Sequence, residues 1–271
     1  IVVPMIFLQA VSYLETERGI KERMLKTVNE ALDDKTLKIR SVLSETAALE
    51  KRYSTNETLY QCLDKNYTKD LEYLIQYQET FLVLFSDMNL YPYHIRNIRL
   101  YTDNPTLMNG AYVRKTEDMS LESLGETLDY VNVYPMNGER DTYVRTSHET
   151  RRIAGTSDSR SLSVIRAFNH YRQYDTYQKL IRVDVECEDL LEILRETNLF
   201  DNMILTDSNG RVIAALNQYS NSGSMDLFDA EQIKNNGQML VSRELSDFGL
   251  TLYGSYDMNS ISQEFQSSRV Q

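Results

Sequence analysis

The chain contains no tryptophan, and only two cysteines and three histidines among its 271 residues. Two cysteines cannot build a disulfide framework. Cys62 and Cys187 fall on predicted helices with neither CxxC spacing nor a neighbouring histidine, so they read as free thiols or core residues. His94, His148 and His170 lie far apart, and none has a metal-ligand partner at i+4. His148 stands beside Glu149, but adjacent residues of a strand point to opposite faces, which argues against an acid/base pair. The chain also lacks GxSxG, HExxH, a phosphate-binding GxxxxGK and a glycine-rich dinucleotide loop. No cofactor is expected, and the region does not read as an enzyme. Positive charge is in deficit as well: 29 Lys and Arg stand against 40 Asp and Glu, a net charge of -11. That balance disfavours nucleic acid and anionic membrane surfaces as general partners.

What is present is a globular composition, 41% hydrophobic, long enough for one large domain or two small ones. The first residues, IVVPMIFL, are apolar and uncharged and carry no initiator methionine. Residues 1–11 are too short to span a bilayer, which takes about 20 apolar residues, and are expected to be the outer end of a truncated membrane segment. A signal-peptide remnant and a buried N-terminal helix are the rival readings. From Ser12 to Arg52 there is no proline and one glycine, and Leu25, Val28, Leu32, Ile39, Val42 and Leu49 recur in a heptad-like seam. A helix of this length either pairs with a second chain or packs along its own domain.

Ser54 and Glu57 form a capping-box pattern for a short helix, and Thr68 is a second cap candidate. It precedes Leu71, Leu74, Ile75, Gln78, Leu82 and Phe85, an amphipathic pattern over 69–86. After Pro92 the period changes. Residues 94–102, 111–115, 141–147, 150–154, 161–170 and 176–185 are rich in Ile, Val, Tyr, Phe and Thr and read as strands of a mostly antiparallel sheet. In the first of them Ile98 and Leu100 take one face and Arg99 and Tyr101 the other. Asp103-Asn104-Pro105 ends the strand, because proline has no N–H to continue the ladder. Whether the Arg99 face looks into a pocket or out to water is left open by alternation alone. A helix resumes at 189–194, and a smaller block follows: a hairpin around Asp207-Ser208-Asn209-Gly210, a short helix capped by Asp229 and stopped at Gly237, and the strands MLVSREL and LTLYGSY. This order predicts an α+β chain with helices on one side of small antiparallel sheets. Nineteen tyrosines, many within the first strand block, suit either half-exposed strand positions or, together with arginines, a pocket for a small polar molecule.

NIRLYTDNPTL, SLSVIRAFN, KLIRVDVECEDLLEIL and MILTDSNGRVIAA, in this order behind a long helix, resemble the extracellular double-Cache (tandem PAS-like) sensor region of Gram-positive transmembrane histidine kinases. The resemblance spans nearly the whole chain. It implies a long signalling helix and helical cap over 12–80, a membrane-distal PAS-like domain over 81–185, a membrane-proximal one over 186–257, and a tail, 258–271, toward a second membrane helix. It also implies a homodimer through the N-terminal helix. The ligand would be a small polar molecule, a carbohydrate among the candidates, or a ligand-loaded solute-binding protein. Tyr112, Tyr134, Tyr143, Arg145 and Arg166, on the distal strands or their connections, are the expected ligand-binding residues. Amino-acid-binding members of the group carry an arginine followed by an aromatic pair that includes tryptophan. This chain has none, so amino-acid sensing is not expected. The fold alone would equally suit a chemoreceptor or a pure protein-interaction module.

Overall fold

The first element is one continuous helix, α1 (Val2–Ser54), in a computed structural model that describes residues 2–86, 93–115, 117, 128–135, 142–149, 159–216, 227–235 and 238–258. At 1.5 Å per residue its 53 residues extend about 80 Å. Met24, Val28, Leu32, Ile39, Val42, Leu43 and Leu49 are buried against the chain's own sheets, so the heptad-like seam is used up within the molecule. Only Leu25 of the seam lies half-exposed. The outward side carries i,i+4 ion pairs, Arg18 with Glu22, Lys26 with Glu30 and Asp34 with Lys38, which solvate that face. No helix among the described residues is long and apolar enough to cross a membrane. The side chains of residues 1–14, the tail 259–271, Gly237 and the expected strand 150–154 lie outside the described residues.

A helical cap follows. Helix α2 (Glu57–Asp64) is capped not by Ser54 but by Asn56, whose Oδ1 accepts from the Leu59 N–H at 3.2 Å. Ser54 is still inside α1, and its hydroxyl donates back to the Lys51 carbonyl. Thr68 is likewise not a cap: α3 (Asp70–Gln76) starts after Lys69, with no side-chain capping bond. It runs through a π-helical turn, Tyr77–Leu82, into α4 (Val83–Ser86). Here the anticipated stripe is inverted except at Phe85. Tyr73, Thr80, Phe81 and Phe85 face inward, whereas Leu71, Leu74, Ile75 and Leu82 are exposed, because the aromatic side offers the larger apolar surface to bury.

The first sheet comprises β1 (Ile95–Thr102), β2 (Val113–Lys115), β3 (Leu128–Pro135), β4 (Thr142–Glu149), β5 (Ser159–Ala167) and β6 (Lys179–Glu186), in the order β2-β1-β6-β5-β4-β3. All neighbours are antiparallel except β1 and β2. The strand β3 was not anticipated. At the end of β1, Asn104 is fully buried and its amide donates to the carbonyls of Leu63 and Lys65. The turn that stops the strand therefore also holds the end of α2.

Helix α5 (Cys187–Arg195) leads to the second sheet: β7 (Asn202–Asp207), β8 (Val212–Ala215), β9 (Met239–Leu245) and β10 (Leu250–Tyr256), ordered β8-β7-β10-β9, antiparallel throughout, with α6 (Ala230–Asn235) between β8 and β9. The β7–β8 hairpin turns where expected. The Asp207 carboxylate accepts from the N–H groups of Asn209 and Arg211, and Gly210 takes the positive φ of 76°. Asp229 accepts from the Glu231 N–H at the start of α6. Helix α1 is tied to this half by Arg243, which reaches Asp33 and Asn29, and by Lys35 and Lys38, which share Glu196. The Lys35 and Lys38 bonds hold the Glu196 carboxyl below its usual range. The chain is thus a long N-terminal helix followed by two antiparallel-sheet domains.

Candidate functional site

The two faces of the first sheet differ in chemistry. The inner face presents Ile98, Leu100, Leu162, Val164, Ile181, Val183 and Val185 to the core shared with α1. The outer face carries polar side chains that are nevertheless buried: Arg99 at 5% exposure, Ser163 at 0%, Arg182 at 1% and Asp184 at 2%. Pairing register brings them together, with Arg99 opposite Arg182 across β1 and β6, and Ser163 opposite Asp184 across β5 and β6. Opposed residues of antiparallel strands share a face, so alternation in each strand sends this whole set one way. One carboxylate oxygen, Asp184 Oδ1, accepts from Ser163 Oγ at 2.6 Å and from Arg182 Nε at 2.6 Å. Tyr101, Ile165 and Leu180 form a small apolar patch beside them. With Arg99 opposite Arg182 in register and the Asp184 carboxylate bonded to Arg182, charge is concentrated on this buried face.

The sequence-predicted residues divide between the faces. Residue 145 pairs with Ser163 and residue 143 with Ile165, so Tyr143 and Arg145 occupy register positions on the outer, polar face. Residue 134 pairs with Val144, which pairs with Val164, so Tyr134 occupies a register position on the inner side. Arg166 also lies inward, and its Nε donates to Oε2 of Glu50 on α1 at 3.2 Å, where Glu50 is fully buried. Tyr112 stacks on Phe85 at 5.0 Å between ring centroids and donates its hydroxyl to the Phe85 carbonyl, joining the strand edge to the helical cap. Composition did not single out Arg182, Asp184 and Ser163 as a group. The signal that could have found them is Arg182 and Asp184 at i,i+2 in KLIRVDV, on one face of a strand whose other face carries Ile181, Val183 and Val185.

Other polar clusters serve packing. Tyr60 lies within 4.9 Å of Phe168 and 5.0 Å of Tyr171 by ring centroid, and its oxygen accepts from the His170 N–H. Tyr67 and Tyr73 donate to the carbonyls of Cys62 and Met108, and burial pushes both phenols up, so they stay protonated donors. Most tyrosines of this half that can be placed bind the helical cap to the sheet. His94 is buried beside α1, where burial pulls its pKa below the usual histidine value. Cys62 and Cys187 are buried and form no disulfide, and burial pushes the Cys62 thiol up. No group of three or more His, Cys, Asp or Glu is arranged to hold a metal ion among the described residues. In the second domain an open groove of about 570 Å³ lies between α5 and the end of β8, lined by Leu191, Arg195, Phe200, Asp201 and Leu216 among others.

No family model matches the sequence, and no curated protein matches it. Solved structures do. The sensory domain of the Campylobacter jejuni chemoreceptor Tlp3, determined with isoleucine bound, superposes with a TM-score of 0.51 at 17% identity, covering 91% of this chain and 98% of that one. A domain of a sensory box/GGDEF family protein from Vibrio parahaemolyticus gives 0.52 at 13% identity, with 89% and 98% covered. The extracellular domain of a protein described as a histidine kinase gives 0.50 at 14% identity, with 90% and 94% covered. The chain therefore has the Cache-like fold of extracellular and periplasmic sensory domains, a long helix followed by two antiparallel-sheet domains.

Proposed function

We propose that this region is the extracellular ligand-sensing part of a membrane-anchored receptor, in the first instance a two-component sensor histidine kinase, and that it binds a small polar molecule over the outer face of the first sheet. A carbohydrate or a small carboxylic acid fits that description. One observation carries the reading: Arg99, Arg182, Asp184 and Ser163 are buried together on the face turned away from α1. Desolvating charge is costly, and replacing such a network by apolar residues is often neutral or stabilising, so stability alone does not account for it. Recognition of a polar ligand does. In this reading residues 81–185 form the membrane-distal sensing domain, 186–257 the proximal one, and the segments 1–11 and 258–271 lead toward the membrane.

The same strands supply a route to the helix. In β5 and β6, Ser163, Arg182 and Asp184 face outward while Val164, Val183 and Val185 pack inward toward α1, and Arg166 bonds Glu50. A ligand that favours one arrangement of the outer face shifts the packing of α1 only by as much as its affinities for the two arrangements differ. Tyr143 and Arg145, at register positions on the outer face, are the contact residues in this reading.

A thermal-shift screen of sugars, small carboxylic acids and branched amino acids tests it. One compound should raise the melting temperature. Arg145→Ala should abolish that shift, whereas Arg166→Ala should keep the shift and lower the baseline. If no soluble compound moves the transition but a solute-binding protein co-sediments, the domain is an interaction module instead. The output domain is tested by the coding sequence beyond position 271: a membrane segment followed by a phosphoacceptor histidine makes a kinase, and a signalling coiled coil without one makes a chemoreceptor.

A further inference from the structure

His94 stands one residue before β1, where the start of that strand meets the middle of α1. Its side chain is buried, at 2% exposure. One ring N–H donates to the Val42 carbonyl of α1, and Tyr93 meets the ring edge-on at 5.6 Å between centroids. The other nitrogen, Nε2, is buried and has no hydrogen-bond partner. The donor is therefore Nδ1, and the ring is held as the neutral tautomer with its lone pair on Nε2. A buried acceptor left unpaired is costly. A proton on it would cost more, because it makes a buried cation whose new N–H has no acceptor. Packing alone does not call for such a residue, since an apolar ring would fill the site without an unpaired nitrogen.

The surroundings set the sign of the response. From α1 the charged neighbour is Glu45, whose carboxylate favours a protonated ring but is exposed and accepts from the Ser41 hydroxyl. On the strand side, Arg96 is taken up by Glu186 at the end of β6. Burial outweighs Glu45, so the ring resists protonation in place. Its departure leaves α1 satisfied, because the Thr46 hydroxyl donates to the same Val42 carbonyl at 2.8 Å. Eight residues further, about 12 Å along the helix, the Arg166 bond to Glu50 is another polar tie between α1 and the first sheet.

We propose that the His94 contact is a proton-operated latch: in mild acid Nε2 takes up a proton, the ring leaves α1, and the start of β1 separates from the helix while both sheets stay folded. The proton is then a ligand in its own right, one that binds the open arrangement better than the closed. An exposed ring binds it with a pKa of about 6.5, and the closed ring binds it less readily. Closure is therefore favoured fully above about pH 6.5 and weakens as pH falls from there toward the closed-state value. Use of the latch as an extracellular signal rests on the sensor reading above. The latch itself does not, since it acts with nothing bound to the outer face.

Hydrogen exchange of the 271-residue chain at about pH 7.5 and about pH 5.5, corrected for the intrinsic effect of pH, tests the proposal. Amides of residues 42–46 and 95–98 should open up to about tenfold more often at the lower pH, while those of β7 and β10 change little. His94→Gln can still donate to Val42 but cannot take up a proton, and it should remove that rise. Should that chain fail to fold, His94→Phe makes the same test. The ring signal missing from the NMR spectrum of the variant identifies His94, and in the parent chain that signal should titrate below about 6.5. Glu45→Gln should keep the acid response, because that carboxylate favours the charged ring and is not the group that releases it. The latch is overturned by no acid rise at 42–46 and 95–98, by a rise that survives in the His94 variant or vanishes in Glu45→Gln, or by a rise spread equally over both sheets. A ligand screen that fails while the acid response persists would count against the outer face alone.

Discussion

The outer faces of the two sheets are built on related strand plans with opposite chemistry. On the first sheet that face buries Arg99, Arg182, Asp184 and Ser163. On the second it buries Ile204, Val212, Ala215 and Ile233 with Phe228 and Tyr253 packed over them, and its buried polar groups are the neutral Asn202, Thr206 and Ser255. Asp207, the one buried carboxylate of these strands, caps the hairpin turn. The same architecture thus makes a conventional apolar core on one sheet and a charged interior on the other. The difference separates what the fold requires from what has been added to it: the second sheet shows that the outer face can be closed by hydrophobic packing alone.

The comparison can be broken most directly at Asp184. Asp184→Ala removes the acceptor shared by Arg182 and Ser163 in a dry site, and chemical unfolding should register a loss of about 3–5 kcal/mol. A loss below about 1 kcal/mol would mean that the outer face of the first sheet is solvated in practice.

Packing on the second sheet should be less costly to disturb but still measurable. A methyl group on Gly254 would come within 2.6 Å of the Phe200 ring, so Gly254→Ala should cost about 1–3 kcal/mol. Phe200→Leu in the same chain should recover part of that loss, and no recovery would place the cost elsewhere than in this contact.

The helical cap of the first domain tests electrostatics against pH. Burial raises the pKa of Asp64, but bonds from the Lys179 ammonium and from the N–H groups of Thr176 and Tyr177 outweigh it and hold the carboxyl below the usual value. The folded pKa is therefore lower than the unfolded one. The contribution is fully present above the unfolded pKa of about 4 and is lost as pH falls through the folded value. Asp64→Asn should cost about 1–3 kcal/mol at neutral pH, and the gap from the parent chain should close in acid. A gap independent of pH would assign the loss to packing.

The smallest effect belongs to Thr206→Val on the outer face of the second sheet. The Thr206 hydroxyl makes only a long 3.5 Å bond to the Thr251 carbonyl, so the free energy of unfolding should change by less than about 0.5 kcal/mol in chemical unfolding. The contrast between Thr206 and Asp184 is the comparison of the two faces reduced to one residue on each.

Local elements were legible in the sequence where a local rule governs them. The hairpin at Asp207-Ser208-Asn209-Gly210 follows from turn chemistry within a few residues. Strands β9 and β10 coincide with MLVSREL and LTLYGSY because alternation and flanking turns define them without help from neighbours. The caps were less legible: Ser54 matched a capping pattern, but α1 continues through it, and Asn56 takes the role two residues later. Helix 70–86 was found by periodicity, yet the face it buries was not, because both sides are apolar and only the partner surface decides between them.

Of the candidate site, alternation in NIRLYTDNPTL put Arg99 and Tyr101 on one face and Ile98 and Leu100 on the other. Whether that face was wet, and which other residues shared it, depended on strand register. A shift of one residue would exchange Arg145 with Val144 and Arg182 with Val183, moving charge between the outer side and the helix side. Register couples β1, β4, β5 and β6 across some ninety positions of sequence, and no local pattern carries that information. By itself the sequence determined most of the succession of elements, β3 excepted, the lack of local metal and catalytic motifs, and the alternation within each strand, because each of these is a short-range property. The tertiary structure decided that Arg99, Arg182, Asp184 and Ser163 are dry and adjacent, that Arg166 serves α1, and that the seam of α1 is closed while the stripe of α3 stays open, because burial depends on which surfaces meet.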